Sequence, residues 1–148
     1  MEKNTPPKKQ VLFLCTGNYY RSRFAELYFN HKAVNTNWIS FSRGLNLNPH
    51  NSGKIFSFVT EELFKLGVSV ENQPYPQKVE AKDFEKADMI IGLNKNEHQK
   101  MIEKKFPQFK EEVIYWDIAD VFEKDSSSEV PKIIQNVDQL IEQLSKQK

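Results

Sequence analysis

The sequence predicts an α/β fold, a single three-layer domain in which a four-stranded parallel sheet carries helices on both faces. Three observations lead there. Four short β-rich apolar runs alternate with stretches of helical periodicity, which implies parallel pairing through right-handed crossovers. One of those runs, Asp88-Met89-Ile90-Ile91-Gly92-Leu93, is of the kind found in strands covered on both sides. With 148 residues and a single cysteine, the chain is one domain, large enough to bury its core without disulfide or metal staples.

The elements follow in order. Met1 to Lys9 is polar, charged and proline-bearing, and reads as a flexible N-terminal tail, leaving residues 10–148 as the domain. Val11-Leu12-Phe13-Leu14 is the first strand, and Phe24, Leu27 and Tyr28 mark a first helix from Ser22 to about His31. Trp38-Ile39-Ser40-Phe41-Ser42 is the second strand, stopped by Arg43-Gly44. Ile55, Phe56, Val59, Leu63 and Leu66 form a helical stripe ending at Gly67, with Pro49, Asn51 and Ser52 as capping chemistry ahead of it. Asn72 to Asp83 holds Pro74 and Pro76 and no period, and reads as a surface loop with room for one helical turn.

After the third strand, Asn94 opens a helix through Met101, Ile102 and Phe106, which Pro107 stops. Glu112-Val113-Ile114-Tyr115-Trp116 is the fourth strand and leads into Asp117-Ile118-Ala119-Asp120. Beyond a loop at Ser126-Ser127-Ser128, Val130, Ile133, Ile134, Val137, Leu140, Ile141 and Leu144 trace a closing amphipathic helix.

The chemistry concentrates at Cys15-Thr16-Gly17-Asn18-Tyr19-Tyr20-Arg21-Ser22, a Cys-x5-Arg-Ser loop between the first strand and the first helix. Successive backbone N–H groups in such a loop, with a helix N-terminus beyond, converge on an anion. Gly17 and Asn18 are the residue types that most readily take positive φ. A thiol in electropositive surroundings ionises to a nucleophile. Arg21 offers a planar fork for two phosphate oxygens, which lysine does not. The Ser22 hydroxyl is placed to donate to the thiolate. Tyr19 and Tyr20 lie inside the loop, and at least one is expected to line the pocket wall. The phosphate-binding set is therefore Thr16, Gly17, Asn18, Tyr19, Tyr20, Arg21 and Ser22.

A thiolate attacking phosphorus needs an acid to protonate the leaving oxygen, worth about 10²- to 10⁴-fold. In such sheets ligands bind beyond the carboxyl ends of the strands. Asp117 and Asp120 follow the last strand and fall on the same rim as Cys15, so either can serve. His31, His50 and His98 read as exposed surface residues and, with no second cysteine, give no zinc constellation. No Walker-type or dinucleotide glycine motif is present. Lys plus Arg total 21 against 20 Asp plus Glu, a formal charge of +1, which gives no argument for nucleic acid or membrane partners. No apolar run approaches the about 18 residues of a membrane span, and the cytoplasm is the expected compartment.

The stretch from Val11 to Glu26, the Ser40 or Ser42 to Gly44 turn, the Asp88-Met89-Ile90-Ile91 strand and the late aspartate after a Trp-Asp strand together resemble the low-molecular-weight protein tyrosine phosphatase family. The resemblance implies a phosphomonoester hydrolase, acting on a phosphotyrosine protein or a small phosphomonoester without cofactor or metal. It implies Cys15 as nucleophile, Arg21 as phosphate clamp, Ser22 as thiolate stabiliser, Asn18 as the brace of the loop and Asp120 as general acid. The chain departs from the family at several points. It reads Asp120-Val121-Phe122 where Asp-Pro-aromatic is usual, which keeps Asp117 as a rival acid. It has Tyr20 where a second cysteine is common, Arg23 in place of proline with its charge expected near the entrance, and Leu93-Asn94 in place of Met-Asp. Two other functions are weighed. One is a phosphate- or phosphoprotein-binding module that has lost turnover; the other, arsenate reduction, recruits further cysteines that the chain lacks.

Overall fold

The computed structural model describes residues 7–51, 53–119 and 126–146. Four strands, β1 (Lys9–Cys15), β2 (Trp38–Gly44), β3 (Met89–Gly92) and β4 (Val113–Tyr115), pair in parallel in the order β2-β1-β3-β4. Between and after them run α1 (Arg21–Lys32), α2 (Ser57–Lys65), α3 (Ala81–Lys86), α4 (Lys95–Lys105), a 3-10 helix (Pro107–Glu112) and α5 (Ser126–Ser145).

The alternation of side chains along β1 divides the core in two. Val11, Phe13 and Cys15 face a layer built from α1, α2 and α5, where Phe24, Phe29, Leu63, Ile133 and Val137 close over them. Leu12 and Leu14 face the other way, against Phe84 of α3 and Ile102 of α4. Burying each such side chain stabilises by about 1.5–3 kcal/mol, and burial on both faces explains why β1 is apolar without interruption.

The register aligns the carboxyl ends of the strands. Cys15 pairs with Gly44, and Leu14 with Gly92, which in turn pairs with Tyr115. The loops that follow β1, β2, β3 and β4 therefore open on one rim, and the crossovers from β1 lead to β2 on one side while β3 lies on the other. This is the topological switch point at which open α/β sheets bind ligands.

Three expectations are corrected in detail. The second helix starts at Ser57, with Phe56 at its N-cap, and Asn51 does not cap it; the chain ahead of it is instead held against the first loop by Phe56 N–H donating to the Tyr19 carbonyl at 3.0 Å. The proline-bearing loop ends in a defined helix, α3, closed by a reciprocal capping box between Glu80 and Asp83. The last helix begins at Ser126, so the serine run is its first turn. Gly67 stops the chain after α2 with φ of +79°, as the stripe implied.

Candidate active site

The loop between β1 and α1 is turned inside out by its carbonyls. Cys15 C=O accepts from Leu45 N–H at 2.9 Å, Thr16 C=O from Asn46 N–H at 2.9 Å, and Tyr19 C=O from Phe56 N–H at 3.0 Å. Asn18 C=O accepts from Arg23 Nη1 at 3.3 Å. In a trans peptide the N–H points opposite to the carbonyl, and no described peptide is cis. The N–H groups of Thr16, Gly17, Tyr19 and Tyr20 are thereby directed toward the inside of the loop. Helix α1 then begins with an aromatic at its N-cap and no acidic residue in its first turn, so its positive end is not offset there.

A chain of hydrogen bonds holds Ser22 beside Cys15. Gln77 N–H donates to Asn18 Oδ1 at 2.9 Å, which sets the orientation of that amide. Asn18 Nδ2 then donates to Ser22 Oγ at 3.0 Å and to Ser42 Oγ at 2.9 Å. Ser42 Oγ donates in turn to Glu26 Oε1 at 2.5 Å. Ser22 Oγ also lies 2.9 Å from Cys15 Sγ, and because a thiolate carries no proton Ser22 is the donor of that pair when Cys15 is ionised. Asn18 meets these partners from the left-handed region, φ of 52°, whereas Gly17 takes no positive φ, contrary to the expectation for it. Burial pushes the Glu26 carboxyl up, against the opposing effects of the Ser42 hydrogen bond and the Arg23 and Arg43 charges.

Arg21 is held by Glu97. Its Nη1 and Nη2 donate to Glu97 Oε1 at 2.9 Å and Oε2 at 2.8 Å, and Nη1 also donates to Ile118 C=O at 3.0 Å. Thr16 donates its hydroxyl to Glu97 as well. Burial alone would raise the Glu97 carboxyl, but hydrogen bonds from His98, Arg21 and Thr16 and the Arg21 charge hold it well below the usual carboxylate range.

Two side chains lie elsewhere than the sequence suggests. His98 is 0% exposed and not a surface residue, with Nε2 3.1 Å from Thr16 Oγ1; His31 and His50 are exposed as expected. Arg23 adds no charge at an entrance: it is 1% exposed and its guanidinium spans the carbonyls of Asn18, Lys54 and Pro74. Burial lowers its pKa, with Glu26 and Cys15 acting against that shift. Tyr20 packs into the core against Phe56 and Phe58, while Tyr19, half-buried with its ring 5.7 Å from Phe56, is the aromatic left at the loop.

Of the two candidate acids, Asp120 lies outside the described residues. Asp117 is exposed and its backbone bridges Asn94. The chain just before Asp120 is pinned: Ile118 C=O accepts from Arg21 and from Asn94 Nδ2 at 3.1 Å, and Ala119 N–H donates to the buried Glu129 at 2.8 Å. Among the described residues, no group of three or more His, Cys, Asp and Glu side chains is placed to hold a metal ion, and no helix is long and apolar enough to cross a membrane.

The same arrangement of strand, loop and helix recurs in known proteins. Residues 10–148 match the family model of the low molecular weight phosphotyrosine protein phosphatases. The chain belongs to that family. It is 25% identical over 154 residues to a protein-arginine-phosphatase of Bacillus subtilis (strain 168), covering 93% of this chain and 95% of that protein. It is 29% identical over 86 residues to an arsenate reductase of Bacillus cereus (strain AH187), covering 58% of this chain and 59% of that one. Its fold superposes on the crystal structure of a low molecular weight protein tyrosine phosphatase from T. tengcongensis with a TM-score of 0.80 at 22% identity, covering 93% of this chain and 100% of that one.

Membership makes the chain a phosphatase. Against that family background, Glu97, His98 and Gln77 are the residues around the loop that sequence reasoning does not place at the site. Glu97 and His98 have one signal, their position in the first turn of a helix that starts on the functional rim. Gln77 acts through its backbone and has none.

Proposed function

We propose that this phosphatase hydrolyses phosphotyrosine through a cysteinyl phosphate. The observation that carries the reading is Ser22 Oγ held 2.9 Å from Cys15 Sγ inside a loop whose N–H groups face inward. Cys15 thiolate attacks phosphorus while Arg21 and the loop amides hold the equatorial oxygens, the P–O bond to the tyrosine breaks, and Asp120 gives its proton to the leaving phenolate. Water then attacks the phosphorus, its proton passes to Asp120, the P–S bond breaks and inorganic phosphate leaves with the thiolate restored.

Asp120 is favoured over Asp117 because the chain entering it is fastened at Ile118 and Ala119 beside Arg21. Tyr19 on Phe56 supplies an aromatic wall suited to an aryl phosphate. The relative named as an arginine phosphatase makes phosphoarginine the competing substrate. Arsenate reduction is disfavoured because Cys15 is the only cysteine. No metal or cofactor is needed for these steps, and the cytoplasm is the compartment that suits a lone reactive thiol.

A second reading has one observation behind it. The acid loop reads Asp120-Val121-Phe122 where Asp-Pro-aromatic is usual, a departure that fits a site that binds a phosphoprotein without turning it over. The test is p-nitrophenyl phosphate hydrolysis from pH 5 to 8 in wild type, Cys15→Ser, Asp120→Asn and Asp117→Asn, followed by competition between phosphotyrosine and phosphoarginine peptides. Turnover that Cys15→Ser abolishes and Asp120→Asn cuts by about 10²-fold or more supports the mechanism. An inactive wild type that still binds a phosphotyrosine peptide favours the binding module.

A further inference from the structure

We propose that Glu97 is the positioning residue of the Arg21 clamp, a role that rests on the phosphatase reading. A guanidinium has two bidentate edges, end-on through Nη1 and Nη2 and side-on through Nε and Nη2. Glu97 takes the end-on edge at 2.9 and 2.8 Å, and Ile118 C=O holds Nη1 at 3.0 Å. The far end of the Arg21 guanidinium is thereby fixed.

The first turn of α4 is arranged to release the Glu97 side chain for this. Asn94 caps the helix by accepting from Glu97 N–H at 3.0 Å. In an ordinary capping box the acid three residues on would reach back to the N-cap N–H. Here Asn94 N–H donates to His98 Nδ1 at 3.1 Å instead, and the Glu97 side chain turns to Arg21. The same bond fixes the neutral His98 tautomer: Nδ1 accepts, so Nε2 carries the proton toward Glu97 Oε2 at 3.2 Å and Thr16 Oγ1 at 3.1 Å. Asn94 Nδ2 and Arg21 Nη1 share the Ile118 carbonyl. The result is a closed ring from α4 through Arg21 to the loop that precedes Asp120.

The ring distinguishes a positioner from a displaceable latch. A carboxylate mimicking substrate must leave when phosphate arrives, whereas Glu97 is gripped by Arg21, Thr16 and His98 together. Its departure would strip a charge-assisted partner from each.

The test reads oxyanion binding without requiring turnover. Protection of Cys15 from iodoacetamide by inorganic phosphate gives a dissociation constant for wild type, Glu97→Ala and Glu97→Gln, alongside kcat and KM for p-nitrophenyl phosphate and a thermal melt of each variant. Phosphate binding is expected to weaken about tenfold in Glu97→Ala and severalfold in Glu97→Gln, with kcat falling in parallel. Glu97→Gln keeps the volume and one acceptor, and carries the test if Glu97→Ala does not fold. Unchanged or tighter phosphate binding in a folded variant overturns the proposal. Weakened binding in the variants of a protein that turns nothing over leaves the positioning role standing and removes the phosphatase reading; unweakened binding in variants of an active enzyme does the reverse.

Discussion

Ser22 Oγ stands 2.9 Å from Cys15 Sγ while accepting from Asn18 Nδ2 at 3.0 Å, and toward a Cys15 thiolate, which has no proton, it is the donor. A hydrogen bond to the charged form of an acid favours that form. Ser22→Ala is therefore expected to slow iodoacetamide alkylation of Cys15 at pH 6 by about tenfold, the scale of one hydrogen bond to a charged group. Asn18→Ala is expected to slow it further, since it releases Gln77, Ser22 and Ser42 at once. Equal alkylation rates in Ser22→Ala and wild type would remove the hydroxyl from the mechanism.

The parts legible in the sequence are those governed by local pattern. The doubly buried β1, the stripe of α5 and the Cys15 to Ser22 spacing each have a period or motif that a single chain displays. Glu97 and His98 have neither. They sit in Lys-Asn-Glu-His-Gln-Lys, a stretch that reads as a solvated helix face, and only the crossover from β3 brings that face over the loop after β1. Arg23 defeats a sequence reading for a related reason: its charge predicts exposure, yet three backbone carbonyls from separate segments satisfy it inside. The consequence of Asn94 also emerges only in three dimensions, as the cap that links α4 to Ile118.

Gly44 is required by a close approach. A Cβ there would lie 2.6 Å from Leu47 Cδ2, 2.8 Å from Thr16 O and 3.1 Å from Asn18 Cβ. Leu47 has a side chain that can turn away, but the Thr16 carbonyl is backbone of the loop and is held by Asn46. Gly44→Ala is expected to cost about 1–3 kcal/mol in urea unfolding and to lower kcat/KM by pushing the loop off its amide geometry. Full activity in this variant would show that the loop yields without loss.

Arg23 ties the loop to two other segments through Asn18 O, Lys54 O and Pro74 O. Arg23→Met keeps much of the stem volume and leaves these carbonyls without their donor, at a cost of about 1–3 kcal/mol for each that stays dry. Arg23→Lys keeps the charge but not the planar fork that spans them. Both variants are expected to melt below wild type. Higher B-factors at residues 53–56 and 73–77 in a crystal structure of Arg23→Lys would confirm the tie, whereas wild-type stability in both would sink it.

Tyr28 joins α1 to α5 by donating to Asp138 Oδ1 at 2.8 Å. Burial, together with this hydrogen bond and the Asp138 charge, pushes its pKa up to about 12. The unfolded chain ionises this phenol near its ordinary value of 10.0, so its contribution is intact below that pH and is lost as pH rises toward about 12. Urea midpoints measured at pH 9 and pH 11 are expected to fall less in Tyr28→Phe than in wild type. An identical decline in the two proteins would place the alkaline loss elsewhere.

Glu97 makes the opposite prediction at the acid end. Its carboxyl is held below the ordinary value of 4.5 because hydrogen bonds and the Arg21 charge outweigh burial. A depressed carboxylate stabilises fully above the unfolded value, and that contribution drains away as pH falls below it toward the folded one. The difference in unfolding free energy between wild type and Glu97→Gln is expected to be about 1.5–3 kcal/mol at neutral pH, to hold down to about pH 5, and to shrink below it as the unfolded chain takes up the proton first. Because Arg21 stays charged throughout, a shrinking difference identifies the lost term as the Glu97 charge. A difference that does not change with pH would mean that the glutamine substitution alters only packing, and the ring around Arg21 would then owe nothing to ionisation.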